Sequence, residues 1–198
     1  MNNTDMDDKD MSKTDVEKEL NLTETEKKAN VVYEGRILSL RNDDITLPDG
    51  RDAKREYVCH RGGAAVLAVD DDGYVYLVRQ FRYPYREELV EIPAGKLEEG
   101  EEAICTACRE LEEEIGMTAD EILPFGMIYP TPGYTNEHLH IFLAKGLKKG
   151  SMHLDDGEFL RVERVPFKTV LERVLNGKIR DSKTCYAVMK YAILNNLK

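Results

Sequence analysis

The segment Glu101 to Ile115, EEAICTACRELEEEI, reads as a helix, and an electrostatically costly one. Ile104, Cys108, Leu111 and Ile115 recur at offsets 0, 4, 7 and 11, which stacks them on one helical face as the expected core stripe. Gly116 follows as a residue suited to end the helix. Glu110, Glu112, Glu113 and Glu114 put four carboxylates into five residues. Three of them, Glu110, Glu113 and Glu114, share a broad face, and Ala103 and Ala107 beside them leave room above the backbone. Like charges at i,i+4 repel by roughly 0.2–0.5 kcal/mol per pair. Acids near a helix C-terminus oppose the macrodipole by about 0.3–1 kcal/mol each. A solvated acidic face would bear these costs, whereas a hard divalent cation would reverse them, because clustered carboxylates are its preferred ligands.

Around this helix the chain is strand-rich. Residues 31–40 and 53–60 read as strands flanking a turn at Pro48-Asp49-Gly50, and 64–70 and 74–80 as a hairpin about Asp71-Asp72-Gly73. Residues 88–94 read as a strand running into Gly95, which permits a tight bend. Further strands are expected at 122–129, 138–146 and 158–165. Two helices close the sequence: 167–175, after Pro166 and before Asn176-Gly177, and a second from Asp181 or Ser182 to about Leu197. The apolar set Cys185, Val188, Met189, Ala192 and Ile193 is expected to be the core face of the second. Strands mixed with three helices indicate an α/β layered domain.

Composition narrows the function classes. Hydrophobic residues make up 41% of the 198, which suits a folded chain. The net charge of −10 opposes docking on nucleic acid. Nine acids against five lysines fall in the first 29 residues, and residues 1–28 read as a flexible acidic tail with a short helix around 16–22. No run is apolar and long enough for a membrane span, and the N-terminus lacks signal-peptide character. Cys59, Cys105, Cys108 and Cys185 are then expected to be reduced thiols of a cytoplasmic protein. The pair Cys105-x2-Cys108 lies within the helix without a partner pair, so it reads as core thiol rather than zinc ligand. His138 and His140 read as packing or pocket-lining residues.

The segment GKLEEGEEAICTACRELEEEIGM from Gly95 to Met117 matches G-x5-E-x7-R-E-U-x-E-E-x-G-U, where U is bulky and aliphatic. Gly95, Glu101, Arg109, Glu110, Leu111, Glu113, Glu114, Gly116 and Met117 occupy the fixed positions. It resembles the Nudix box of the Nudix hydrolases, which cleave nucleoside diphosphates linked to another group. The resemblance implies an α/β/α sandwich with a mixed sheet. It implies that Glu110 and Glu114 ligate Mg2+, or Mn2+ in its place, with Glu113 assisting, Arg109 orienting the glutamates and the Ala94 carbonyl completing the site.

Beyond the box, residues 31–197 are similar to the ADP-ribose pyrophosphatase branch. In Tyr129-Pro130-Thr131-Pro132-Gly133-Tyr134-Thr135-Asn136-Glu137, Pro132 and Gly133 match a family turn and Glu137 a substrate-contacting glutamate. A rigid turn between strands is the structural alternative. In Leu154-Asp155-Asp156-Gly157-Glu158, Glu158 resembles an additional metal-contacting glutamate, and Asp156 stands where some relatives place a glutamate base. Arg55, Glu56 and Arg82, and with them Arg36, Ile37 and Lys96, match substrate-contacting positions. The resemblance further implies N-terminal strands over 29–60 that form a homodimer with shared sites, ahead of a Nudix domain over 61–198. The expected activity is metal-dependent hydrolysis of ADP-ribose to AMP and ribose 5-phosphate. Another nucleoside diphosphate sugar such as GDP-mannose, or a non-catalytic ADP-ribose sensor, are the alternatives.

Overall fold

The computed structural model describes residues 21–197. The expected tail over 1–28 and the helix around 16–22 lie mostly outside them. Within the described part of that tail, Thr25–Lys28 forms a strand, β1, followed by β2 (Val31–Glu34), β3 (Ser39–Thr46) and β4 (Asp52–Cys59). Strand β3 runs antiparallel to β1 and β2 along one side and to β4 along the other. Asn30 stitches the break between β1 and β2. Its backbone N–H donates to Asp43 Oδ1 at 2.7 Å, and its amide donates to the Asn42 carbonyl and Asp44 Oδ2, both at 3.1 Å. The sequence pattern predicts one strand over 31–40. The chain instead turns at Gly35, whose N–H donates to the Leu38 carbonyl, and returns as β3.

A second, mixed sheet holds β5 (Gly63–Val69), β6 (Tyr74–Arg82), β7 (Glu87–Glu91), β8 (Ala94–Lys96), β9 (Met117–Ile128), β10 (Leu139–Lys149) and β11 (Leu160–Pro166). The order is β11-β6-β5-β10-β9, with β7 paired to β6 and β8 to β5. Only β5 and β10 are parallel among these described pairs. Helices α1 (Ala103–Ile115), α2 (Phe167–Leu175) and α3 (Ser182–Leu194) cover the sheet.

Strand β5 explains the layering. Its sequence, GAAVLAV, carries no polar side chain, and every residue is buried. A strand with two apolar faces needs cover on both. Ala65, Leu67 and Val69 pack with Val170 and Leu171 of α2 and Ala187 and Val188 of α3. Ala64, Val66 and Ala68 pack with Ala107, Leu111 and Ile115 of α1. The result is an α/β/α sandwich.

Two helical faces differ from the sequence reading. In α1 the buried set is Thr106, Ala107, Glu110, Leu111, Glu114 and Ile115, while Cys108 is exposed and Ile104 is 37% exposed. The buried face is therefore rotated towards the glutamates, because small Ala107 beside Leu111 makes the close contact with β5. In α3, Thr184, Ala187, Val188 and Ala192 are buried, whereas Met189 and Ile193 are 40% and 74% exposed. Small residues again form the packed face. The expected strand over 88–94 is also two strands. At Ile92-Pro93 the chain leaves β6 for β5, and the Ile92 N–H is taken up by Thr184 Oγ1 of α3 at 2.9 Å. That switch sets Ala94 and Gly95 beside β5, facing the glutamates of α1.

Candidate active site

Helix α1 ends at Gly116, whose φ of 64° is left-handed and whose N–H donates to the Glu112 carbonyl at 2.9 Å, as a glycine terminator should. Its buried face presents two acids to β8. Glu114 is 2% exposed, and its Oε2 accepts from the Ala94 N–H at 2.9 Å. Burial pushes its carboxyl up to about 8, against that backbone hydrogen bond and with further repulsion from Glu110 and Glu158. Burial also raises the carboxyl of Glu110.

Gly95 has a role different from the expected bend. It lies in β8, paired with Ala64, and its φ is not left-handed. A Cβ at this position would stand 1.6 Å from Glu110 Oε1, so glycine is needed to leave space for that carboxylate.

Arg109 holds the cluster together. Its Nη1 donates to Glu110 Oε1 at 2.7 Å and to Glu113 Oε2 at 2.9 Å. Its Nε and Nη2 reach the two oxygens of Glu101, each at 3.3 Å. Arg109 keeps the Glu101 carboxyl at about 2, chiefly through these hydrogen bonds. Arg109 is thus bonded to two of the glutamates it is expected to orient, and Glu101 is its anchor. Among the described residues, no three Asp, Glu, His or Cys side chains already converge as a metal-binding group. Glu110, Glu113, Glu158 and Ala94 line one cavity, and Glu114 touches Ala94 from the buried face of α1, so the cluster is rich in oxygen donors. With the space kept by Gly95, that set fits a hard cation such as Mg2+ or Mn2+.

A cavity of about 790 Å³ opens over this cluster. It brings together Ile37, Arg82, Ala94, Lys96, Glu110, Glu113, Glu137, Asp156 and Glu158 of the expected site. Glu158 Oε1 accepts from Gln80 Nε2 of β6 at 3.2 Å. The loop carrying Asp156 and Glu158 is tied to the end of α1: the His153 N–H donates to the Glu113 carbonyl and the Gly150 N–H to that of Gly116. An adjoining recess of about 430 Å³ is lined by Arg36, Arg61, Lys96 and Arg109.

Five expected residues do not line either cavity. Glu114 is buried between α1 and β8, on the Ala94 N–H. Arg55 and Glu56 sit exposed on β4, where Arg55 pairs with Glu24 of its own chain. Pro132 and Gly133 form a turn outside the lining, docked to β4 through the Val58 N–H to the Tyr134 carbonyl at 2.8 Å. That turn carries Glu137 to the cavity, where its Oε1 lies 3.5 Å from His60 Nδ1. His138 and His140 pack on each other, edge to face at 5.5 Å, rather than lining the cavity.

A profile of the NUDIX domain matches residues 60–184. The chain belongs to the Nudix family. It is therefore a Nudix hydrolase, a group that works with divalent metal. The nucleoside diphosphate sugar hydrolase N-terminal domain matches residues 28–58, from the last residue of β1 through all but the last of β4. The chain is 43% identical over 159 residues to the ADP-ribose pyrophosphatase of Bacillus subtilis (strain 168), covering 79% of this chain and 86% of that one. It is 38% identical over 173 residues to the methanol dehydrogenase activator of Bacillus methanolicus, covering 86% and 94%. A crystal structure of an ADP compounds hydrolase superposes with a TM-score of 0.76 over 89% of this chain and 96% of that one. At 20% identity it shares the Nudix fold. Among the described residues no helix is long and apolar enough to cross a membrane.

Sequence reasoning missed several residues of the candidate site. Glu91, Asp181 and Lys183 line the main cavity, and Asp155 and His60 line both cavities. The available signal was Glu91 itself, an acid in the otherwise apolar run Leu89-Val90-Glu91-Ile92, where a carboxylate is buried only if it is paired.

Proposed function

We propose that this Nudix hydrolase is an Mg2+-dependent ADP-ribose pyrophosphatase that yields AMP and ribose 5-phosphate, with Mn2+ as a substitute. The observation that carries the reading is Glu110, packed against Gly95 at the wall of a cavity that also presents Arg82 and Lys96, with Glu114 buried behind the same wall on the Ala94 N–H. The 43% identity to an ADP-ribose pyrophosphatase supports the choice of substrate. Glu110, Glu114, Glu158 and the Ala94 carbonyl would hold the ion, which when bound neutralises phosphoryl oxygens and activates water. Arg82 and Lys96 balance the remaining diphosphate charge. Arg109 keeps Glu110 and Glu113 in place from its anchor on Glu101. Asp156, which lines the same cavity, would take up the water proton, a role that needs an approach to roughly 3 Å. Ile37 and Glu137 contact the nucleoside or the terminal ribose.

The chain is further proposed to act as a homodimer through its N-terminal sheet. Val31, Val32, Tyr33 and Leu38 are exposed there, an apolar surface in need of cover. Arg55 and Glu56 on the same sheet would then serve the partner's cavity, with Arg55 leaving Glu24.

Incubation with ADP-ribose and Mg2+, followed by chromatography for AMP, tests the reading. The expected result is turnover that stops in Glu114→Gln and when EDTA is added. Wild-type turnover no greater than that of Glu114→Gln would overturn it, and a parallel arm with GDP-mannose ranks the competing sugar nucleotide.

A further inference from the structure

We propose that Glu91, braced by Lys183 of the C-terminal helix, is a positioning residue that fixes Arg82 for the substrate diphosphate. The inference rests on the reading above only in taking the cavity to bind a nucleoside diphosphate derivative. Glu91 is 2% exposed and Lys183 is 7% exposed, yet both line the 790 Å³ cavity, so they form part of its floor. Arg82 Nε and Nη2 donate to the two oxygens of Glu91 at 2.7 and 2.8 Å, a bidentate fork that fixes the plane of the guanidinium. That fork leaves Nη1 uncommitted among the described contacts, on a side chain that is 38% exposed and lines the cavity.

Lys183 donates to Glu91 Oε2 and, at 2.9 Å, to Asp181 Oδ1. Asp181 in turn caps α3, accepting from the Thr184 N–H at 3.0 Å and from its hydroxyl at 2.5 Å. Thr184 Oγ1 closes the loop by accepting the Ile92 N–H next to Glu91. The α3 N-terminus, the β7 end and Arg82 are thus one hydrogen-bonded unit. A lone Arg82–Glu91 pair would fix a side chain but cancel its charge. Lys183 and Asp181 add a second cation and a second carboxylate, so the cluster is charge-balanced and Arg82 meets an anion through the donor at its open edge. A carboxylate needed only to fill the floor would require neither the fork nor a nearly buried lysine, since apolar residues of similar volume pack there without desolvation cost.

The test uses the full chain and ADP with Mg2+ as the calorimetric probe, because ADP carries the diphosphate whatever the sugar. Glu91→Gln alone strips Arg82 of its carboxylate and leaves the buried Lys183 with Asp181 only, which can unfold the protein, so the informative variant is the charge-balanced pair Glu91→Gln with Lys183→Met. It is expected to keep a cooperative melt and to bind ADP about tenfold more weakly. Introduced into Arg82→Lys, the same pair should weaken ADP binding no further, since its effect runs through Arg82. Glu91→Asp, which keeps the charge, should recover part of the affinity. Wild-type affinity in the balanced pair, or an additive loss in the Arg82→Lys background, would overturn the inference. If the wild type binds ADP but does not turn over ADP-ribose, the substrate reading fails while the comparison of variants still decides this one.

Discussion

Gly95 is the residue where the least atomic change should do the most damage. Its missing Cβ leaves the volume that the Glu110 carboxylate occupies, and an added methyl would fall 1.6 Å from Oε1. Gly95→Ala is expected to push Glu110 off its position and lower kcat/KM by roughly a hundredfold, the scale of an ångström misplacement at a reacting centre. Steady-state kinetics with a parallel melting curve measures it, and an unfolded variant is not expected, since the backbone there is ordinary strand. A second residue-scale prediction concerns acid. Burial alone would raise the Glu91 carboxyl, but Arg82 and Lys183 outweigh it and hold the group at about 2, below its ordinary 4.5. A carboxylate whose folded value is depressed contributes stability that is present above the ordinary value and lost as pH falls towards the folded one. Tm should therefore decline between about pH 5 and pH 2, and the decline should be shallower in the pair Glu91→Gln with Lys183→Met.

At the scale of elements, α1 was legible in extent and misread in phase. Its end at Ile115 and its glycine terminator follow from the sequence. The periodicity of the largest apolar residues pointed to a face with Ile104 and Cys108 in it, and both are exposed. Amphipathic phase is written by side-chain size only where size matters. Here the close approach to β5 selects Ala107, and the site draws Glu110 and Glu114 inward, so polarity and burial disagree on the functional face. Leu111→Ala should cost about 2–5 kcal/mol, because Leu111 is fully buried. Cys108→Ser should stay within about 0.5 kcal/mol of wild type. Urea unfolding of the two variants checks the phase directly. The same limit explains α3, where Met189 and Ile193 suggested a core face that Thr184, Ala187 and Ala192 actually provide.

For the whole molecule, the candidate site residues legible in the sequence are those with local spacing: the box glutamates, Arg109 and the segment ending in Glu158. The floor of the cavity was not legible, because Glu91 and Lys183 are 92 residues apart and meet only once α3 has packed on the sheet. Position on the surface was equally hidden for Arg55 and Glu56, which the fold carries away from the chain's own cavities. If the N-terminal sheet is the dimer surface, Val32→Glu should convert a dimer to a monomer in sedimentation, and should lower activity in step as Arg55 loses its partner site.

Strand β5 has one more consequence. It is hydrogen-bonded to β6, β8 and β10 and covered on both faces, so its backbone amides should exchange with deuterium only when the whole protein unfolds. The wall bearing Ala94 and Gly95 hangs on that strand and shares its protection. The loop with Asp156 and Glu158 hangs on a few terminal hydrogen bonds of α1 and should open at far smaller cost. On warming, this hydrolase should then fall silent before it melts, one side of its site still shut to deuterium while the other is already exchanging.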